Sequence, residues 1–372
     1  MGNIFDYLAW RSDLDFTASP FNPVDNIIFS QLSYLTLDGI VPSPEDKDGI
    51  SIGLAVRIYD EKINSPSGIK LSSIFKEDPQ LIRALSSSKR FGNCQLFGFV
   101  NHVDEHNEIQ FSALCIDIGD GSSFVAFRGT DTSLVGWKED FNMSFKETIP
   151  SQLEAVNYLE KMAPMINGHL RLGGHSKGGN LAIYAAANCD KRIKHRITDI
   201  YSNDAPGFHE KVISSAGFTE IKSRIHSYIP QSSVIGILLE HGTEFKVIKS
   251  SEIGLMQHSL YTWEVTHNDL IRVDEIASSS LFVDKTVRQW LSTLDNDQRE
   301  RFIDAIYQIL NRSDVKSRGD LESSWLVSVG RIIKSIGNTD EAARKLILKA
   351  IAELFFSAGR NIDTLFKKKN NE

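Results

Sequence analysis

The stretch RLGGHSKGGN, residues 171–180, sets Ser176 between Gly174 and Gly178, with His175 before it and Lys177 after. A glycine-x-serine-x-glycine spacing arises by chance in about one chain in ten of this length, so the flanks must decide its meaning. On the amino side, HLRLGG (169–174) reads as a buried strand; on the carboxyl side, GGNLAIYAAANC (178–189) reads as a small-residue helix. Strand, sharp turn and helix are the setting of a nucleophile elbow, in which the serine occupies a strained backbone position and its neighbours two residues away must be small. A phosphate-binding turn would need G-x-x-x-x-G-K-[ST] or G-x-G-x-x-G, and neither is present.

The rest of the chain extends this pattern. QLFGFVNHVD (95–104), IQFSALCIDIG (109–119) and SSFVAFRG (122–129) read as consecutive strands, and the hairpin-like run before Phe124 suggests an antiparallel edge. A helix is expected from about Ser151 to Met165, then strands at Ile197–Ser202, Arg224–Ile229 and Glu244–Lys249. Strands alternating with helices predict an α/β sheet with parallel portions. Residues 3–40 read as helical pieces broken at Pro20 and Pro23, and 41–90 as loops with a short helix near Asp78–Ile82. Beyond about residue 275 the strand signal gives way to amphipathic helices; in the first, Phe302, Ile303, Ile306, Ile309 and Leu310 share a face, with Asp295 and Gln298 as a capping pair. The expected organisation is a domain over 1–274 and a C-terminal helical region over 275–372.

Composition narrows the function. Of 372 residues 41% are hydrophobic and 24% charged, as in ordinary water-soluble domains, and the net charge of −7 disfavours a nucleic-acid binder. No apolar run approaches the ~20 residues of a membrane span, which leaves only peripheral membrane contact open. Three cysteines (Cys94, Cys115, Cys189) lack metal-site or disulfide spacing. MGNIFDYLAWRSDLD has neither a basic start nor a long apolar core, so a signal peptide is not expected and the chain reads as cytoplasmic. No cofactor or metal is implied.

An elbow serine needs a histidine base and an acid, in the chain order serine, acid, histidine. That order removes His102, His106, His169 and His175 as the base. His258, in IGLMQHSLYTW, follows a strand by a loop and is the candidate base, with His267 the runner-up. For the acid, Asp204 ends the strand in DIYSNDAPGF at the carboxyl edge of the sheet; a turn-capping role is the alternative. The oxyanion donors are expected from Thr130, after the strand FVAFRG, and from the amide of Lys177.

FVAFRGTD (124–131), GWKEDFN (136–142) and GGHSKGGNLA (173–182) resemble class 3 lipases. They are more similar still to a bacterial group of lipase-related α/β hydrolases, the Mbeg-like proteins, whose pattern FDYLAWRSDLDF (5–16), YSNDAPGF (201–208), YIPQSSVIGILLEH (228–241) and QHSLYTW (257–263) also resemble. The resemblance implies an α/β-hydrolase fold, a mostly parallel class 3 lipase-like sheet with N-terminal helices and a C-terminal helical appendage. It further implies Ser176 as nucleophile and His258 as base. One departure stands out. The lipase acid lies in a loop resembling the start of SSVIG, where this chain has Ser232 and Ser233. Asp204 substitutes for it, or the site is a dyad, or the machinery is degraded. The expected activity is hydrolysis of a carboxylic ester, small-molecule or lipid. The rival is a non-catalytic protein of the same fold whose helical tail mediates binding.

Overall fold

A computed structural model describes residues 2–277 and Gln298, apart from 47, 65–74, 105, 132, 144–145 and 234. The predicted C-terminal helices, and with them all of the second expected region but 275–277 and Gln298, lie outside the described residues.

A nine-stranded mixed sheet runs through the molecule in sequential order. Strands β1 (Ile50–Ser51), β2 (Gln95–Asp104), β3 (Ile109–Asp117) and β4 (Ser122–Phe127) pair antiparallel. From β4 onward the pairing is parallel through β5 (His169–His175), β6 (Ile197–Asn203), β7 (Ile225–Pro230) and β8 (Phe245–Ile248). A short β9 (Arg272–Val273) closes the far edge antiparallel to β8. The antiparallel edge before Phe124 is therefore present, and β9 adds another after the His258 segment.

Both faces of the sheet are covered, as the uninterrupted apolar run of β4 requires. Phe124 and Ala126 face a core shared with helices α1 (Ile4–Arg11), α2 (Pro23–Leu32), α3 (Ile52–Asn64) and α4 (Asp78–Ser86). Val125 and Phe127 face a second core built with α6 (Pro150–Met162), α7 (Lys177–Asn188) and α10 (Ala216–Ile221). Helix α5 (Leu134–Asn142) follows β4, and the short α8 (Lys191–Lys194) and α9 (Glu210–Ile213) flank β6. The 13-residue α3 departs from the expectation of loops around a single short helix at 41–90.

Helix α2 starts where its sequence dictates. Asn22 accepts from the amides of Val24 and Asp25, Asp25 accepts back from the amide of Asn22, and Pro23 pre-sets the first turn. Asp25 also binds a fully buried ion pair: Arg90 donates to its two oxygens at 2.8 and 2.6 Å, and the Tyr7 hydroxyl donates at 2.8 Å. The same guanidinium donates to the carbonyls of Leu14, Asp15, Ser19 and Pro20 and lies 3.9 Å from the centroid of the Phe16 ring. One charge thus organises the α1–α2 connection and ties it to the chain after α4.

Asp25→Ala would leave Arg90 charged and unpaired in the core, which costs about 3–5 kcal/mol. Urea denaturation of the variant should show a loss of that size; a loss below about 1 kcal/mol would mean that solvent reaches the pair.

Candidate active site

Ser176 occupies the turn between β5 and α7 with φ 56° and ψ −134°, a region that side-chain-bearing residues rarely enter and that costs about 1–3 kcal/mol. The turn is this tight because strand and helix nearly touch. A Cβ at Gly178 would stand 2.1 Å from the carbonyl oxygen of Phe127, and one at Gly174 would stand 2.4 Å from the carbonyl carbon of Gly178. The Ser176 amide donates to the carbonyl of Asn203 at 2.9 Å, so the serine sits against the end of β6.

Asp204 is the next residue after that strand. It too has positive φ, 48°, which aspartate tolerates better than most residues. The Asn203 side chain fixes this strand end by donating to the Gly174 carbonyl and exchanging hydrogen bonds with Asn26 of α2. His258 arrives from the other side, on a 3₁₀ turn, Gly254–His258, after β8. Gln257 anchors this turn: its side chain accepts from the Ser232 amide and donates to the Glu252 carbonyl, while Trp263 donates to its backbone carbonyl.

These elements bring Asp204 and His258 into direct contact, and the amide bond from Ser176 to Asn203 sets the serine beside the residue that precedes Asp204. His258 Nδ1–H donates to Asp204 Oδ2 at 2.6 Å. The other carboxylate oxygen accepts from the Ser233 hydroxyl, which itself accepts from the Gly236 amide at 2.7 Å. Ser233, in the loop after β7, is therefore bonded to the aspartate that follows the neighbouring strand. Asp204, His258 and Ser176 are 1%, 6% and 9% exposed, so the serine is the most open of the three. Because an ionised carboxylate only accepts, Nδ1 of His258 carries a proton, and in the neutral imidazole Nε2 is the acceptor. Among the described residues neither Nε2 of His258 nor the Ser176 hydroxyl has a hydrogen-bond partner. His267, the runner-up, lies elsewhere: it is exposed, and its ring is 4.9 Å from that of Trp10 and tilted by 37°.

Thr130 follows β4, and its hydroxyl donates to Asp140 of α5. The backbone amides of Thr130 and Lys177 donate to no group among the described residues, as expected for a loop end and the first turn of a helix. The Lys177 side chain turns into the protein. Its ammonium, 1% exposed, donates to the carbonyl and side-chain oxygens of Gln110 and, at 2.8 Å, to Glu139. Glu139 also accepts from the amide and hydroxyl of Ser151 at the start of α6. This buried ion pair and its hydrogen bonds join α5, α6, α7 and β3 beneath the serine. Sequence reading did not find it, because Lys177 and Glu139 are far apart in the chain and each alone looks like a surface charge. No cluster of potential metal ligands occurs among the described residues.

A family model, Mbeg1-like, matches residues 85–308, more than half of the chain. The protein belongs to the Mbeg1-like family. The matched span contains Ser176, Asp204 and His258. No curated protein matches this chain. Among solved structures, M37 lipase is similar at 13% identity and a TM-score of 0.34, covering 88% of this chain and 97% of that one. A Rhizomucor miehei lipase propeptide complex is similar at 12% identity and a TM-score of 0.35; this Mbeg1-like chain matches it over 60% of its own length and just under two thirds, 66%, of that chain.

Asp140 generates a prediction about pH. Its Oδ1 is buried without a partner, and burial raises its pKa from 3.8 to about 6 against the opposing pull of Lys177 and Thr130. A carboxyl whose pKa is raised by folding binds more protons folded than unfolded, so it costs stability at higher pH. That cost is absent below about pH 4, grows between about pH 4 and 6, and reaches about 3 kcal/mol above that window. Asp140→Asn keeps an acceptor for Thr130 and removes the charge. Relative to the native protein it should be more stable at pH 7.5 than at pH 4.5, by thermal unfolding; an equal difference at both pH values would contradict the assignment.

Proposed function

We propose that this protein is a serine hydrolase of the α/β-hydrolase type that cleaves carboxylic esters, with an acyl lipid as one candidate substrate. The observation that carries the reading is the 2.6 Å bond between His258 and Asp204, next to a serine on a strained strand-to-helix turn. In a protein without catalytic use for them, a dry carboxylate–imidazole pair and a backbone at φ 56° would both be destabilising ornaments.

In this mechanism Ser176 Oγ attacks the ester carbonyl carbon while Nε2 of His258 takes the hydroxyl proton. The carbonyl π electrons move to oxygen, and the unengaged amides of Thr130 and Lys177 donate to that oxyanion. Asp204 holds the imidazole in the Nδ1–H tautomer and balances the imidazolium charge. The C–O bond then breaks, the alcohol oxygen leaves with the proton from Nε2, and an acyl-Ser176 remains. A water attacks it by the same route, with His258 again as base, to release the acid and restore the serine.

Labelling with a fluorophosphonate probe tests the reading directly. Ser176→Ala should abolish labelling and lower turnover on a panel of esters by up to about a millionfold. Failure of the native protein to label would instead favour the rival, a non-catalytic binding protein. Asp204→Asn separates the carboxylate's chemical role from a turn-capping one. It should cut kcat by up to about 10⁴, because an amide stabilises the wrong tautomer; a turn cap alone would cost about 1 kcal/mol of stability and leave turnover near native.

A further inference from the structure

His175 stands beside the serine in sequence and has no part in that mechanism, yet its environment is built. Its ring is fully enclosed, 1% exposed. Nε2 lies 2.7 Å from the backbone carbonyl of His258, and Nδ1 lies 3.0 Å from the hydroxyl of Tyr34. A carbonyl oxygen can only accept, so Nε2 carries a proton; Nδ1 of the neutral ring is then an acceptor for the Tyr34 hydroxyl, whose one proton is shared with the His175 carbonyl oxygen at 3.2 Å. The tautomer is thereby fixed, opposite to that of His258. The two imidazole rings are 4.3 Å apart between centroids and tilted by 41°. Tyr34 is itself 2% exposed and belongs to the N-terminal helical layer, whose core it shares.

We propose, building on the hydrolase reading, that His175 is a positioning residue for His258: a neutral imidazole that grips the backbone of the base while Tyr34 locks its own orientation. His258 sits at the end of a 3₁₀ turn in a long connection, where the backbone is less constrained than in a strand. Asp204 fixes one edge of its ring. That bond permits the turn to pivot about the carboxylate; the grip on the carbonyl removes the pivot. The brace must also stay uncharged. Burial and the neighbouring His258 both hold the His175 pKa well below the usual histidine value, with the His258 carbonyl acting in the opposite sense. Among the described residues the titratable side chains against its ring are Tyr34 and His258. Behind Tyr34 lie Arg128, Asp140 and Asp78.

Two measurements test the proposal. Histidine imidazole ¹⁵N signals of the native protein, recorded from pH 5 to 8, should show His175 as a neutral Nε2–H tautomer throughout; titration in that range would overturn it. This readout needs no turnover, so it stands even where the native protein fails to react with the fluorophosphonate probe and the hydrolase reading falls. In a reactive protein, His175→Leu should lower kcat about 10–100-fold with KM within about threefold of native, since misplacing a catalytic group by about 1 Å costs on this scale. His175→Gln, which can still donate to the His258 carbonyl, should recover most of the loss. Tyr34→Phe guards against a leucine variant that does not fold: it removes one hydroxyl and should lower kcat several-fold with a native melting curve. A folded leucine variant with native kcat, or a glutamine variant no better than leucine, would show that His175 only fills space.

Discussion

The architecture around the candidate site depends on one backbone constraint, the passage of the chain from β5 into α7 at Ser176 with positive φ. A strained residue persists only when its surroundings determine it from several sides. Here the β4 carbonyl at Phe127 leaves no room for a side chain at Gly178, Asn203 of β6 accepts the serine amide, and the buried Lys177 ammonium draws the first turn of α7 toward Gln110 and Glu139. Each anchor comes from a different element. The turn is therefore a property of the assembled sheet and helices, and local sequence supplies only the permissive glycines.

The sequential strand order explains why the remaining groups converge. In a parallel run, carboxyl ends of neighbouring strands lie side by side, and loops leaving them meet at one edge. His175 at the end of β5 is paired in register with Asn203 at the end of β6, which places Asp204 beside the elbow. The loop after β7 then supplies Ser233 to the same carboxylate, and the segment after β8 returns with His258. Connections leaving three successive strands thus feed one point, and a carboxylate on either of two adjacent loops could reach it. Ser233 accordingly donates to a carboxylate that comes from the end of the strand before its own.

Much of this was legible in the sequence, for physical reasons that also mark where legibility ends. Strand–glycine–serine–glycine–helix is a local signal, and Asp204 and His258 were reachable because chain order and strand ends restrict the choice. Helix α3 carried a usable signal as well: Ile52, Ala55, Val56 and Tyr59 fall at i, i+3, i+4 and i+7 and are all buried, but the polar residues on either side obscured the stripe. β9 is two residues long and exists by pairing with β8, so no periodicity could announce it. The Lys177–Glu139 and Arg90–Asp25 pairs were out of reach, because a charged side chain becomes a core residue only when a partner distant in sequence meets it.

The two basic residues that flank Ser176 show how such partners divide electrostatic roles. Lys177 is paired with Glu139 at 2.8 Å, so its ammonium is turned away into an ion pair. His175 has no acid and is held neutral by burial. The difference matters in the proposed hydrolase, where His258 becomes an imidazolium as the serine attacks. A second positive imidazole at 4.3 Å would oppose that charge by about 4 kcal/mol at an effective dielectric of 20, nearly a thousandfold in rate. A carboxylate paired to His175 would invite that second charge. Tyr34, a neutral donor, fixes the ring without supplying one. In the proposed hydrolase the hydroxyl–imidazole–carbonyl chain therefore does what an ion pair at this position could not: it orders the base and, among the described residues, leaves Asp204 as the one counter-charge in contact with it.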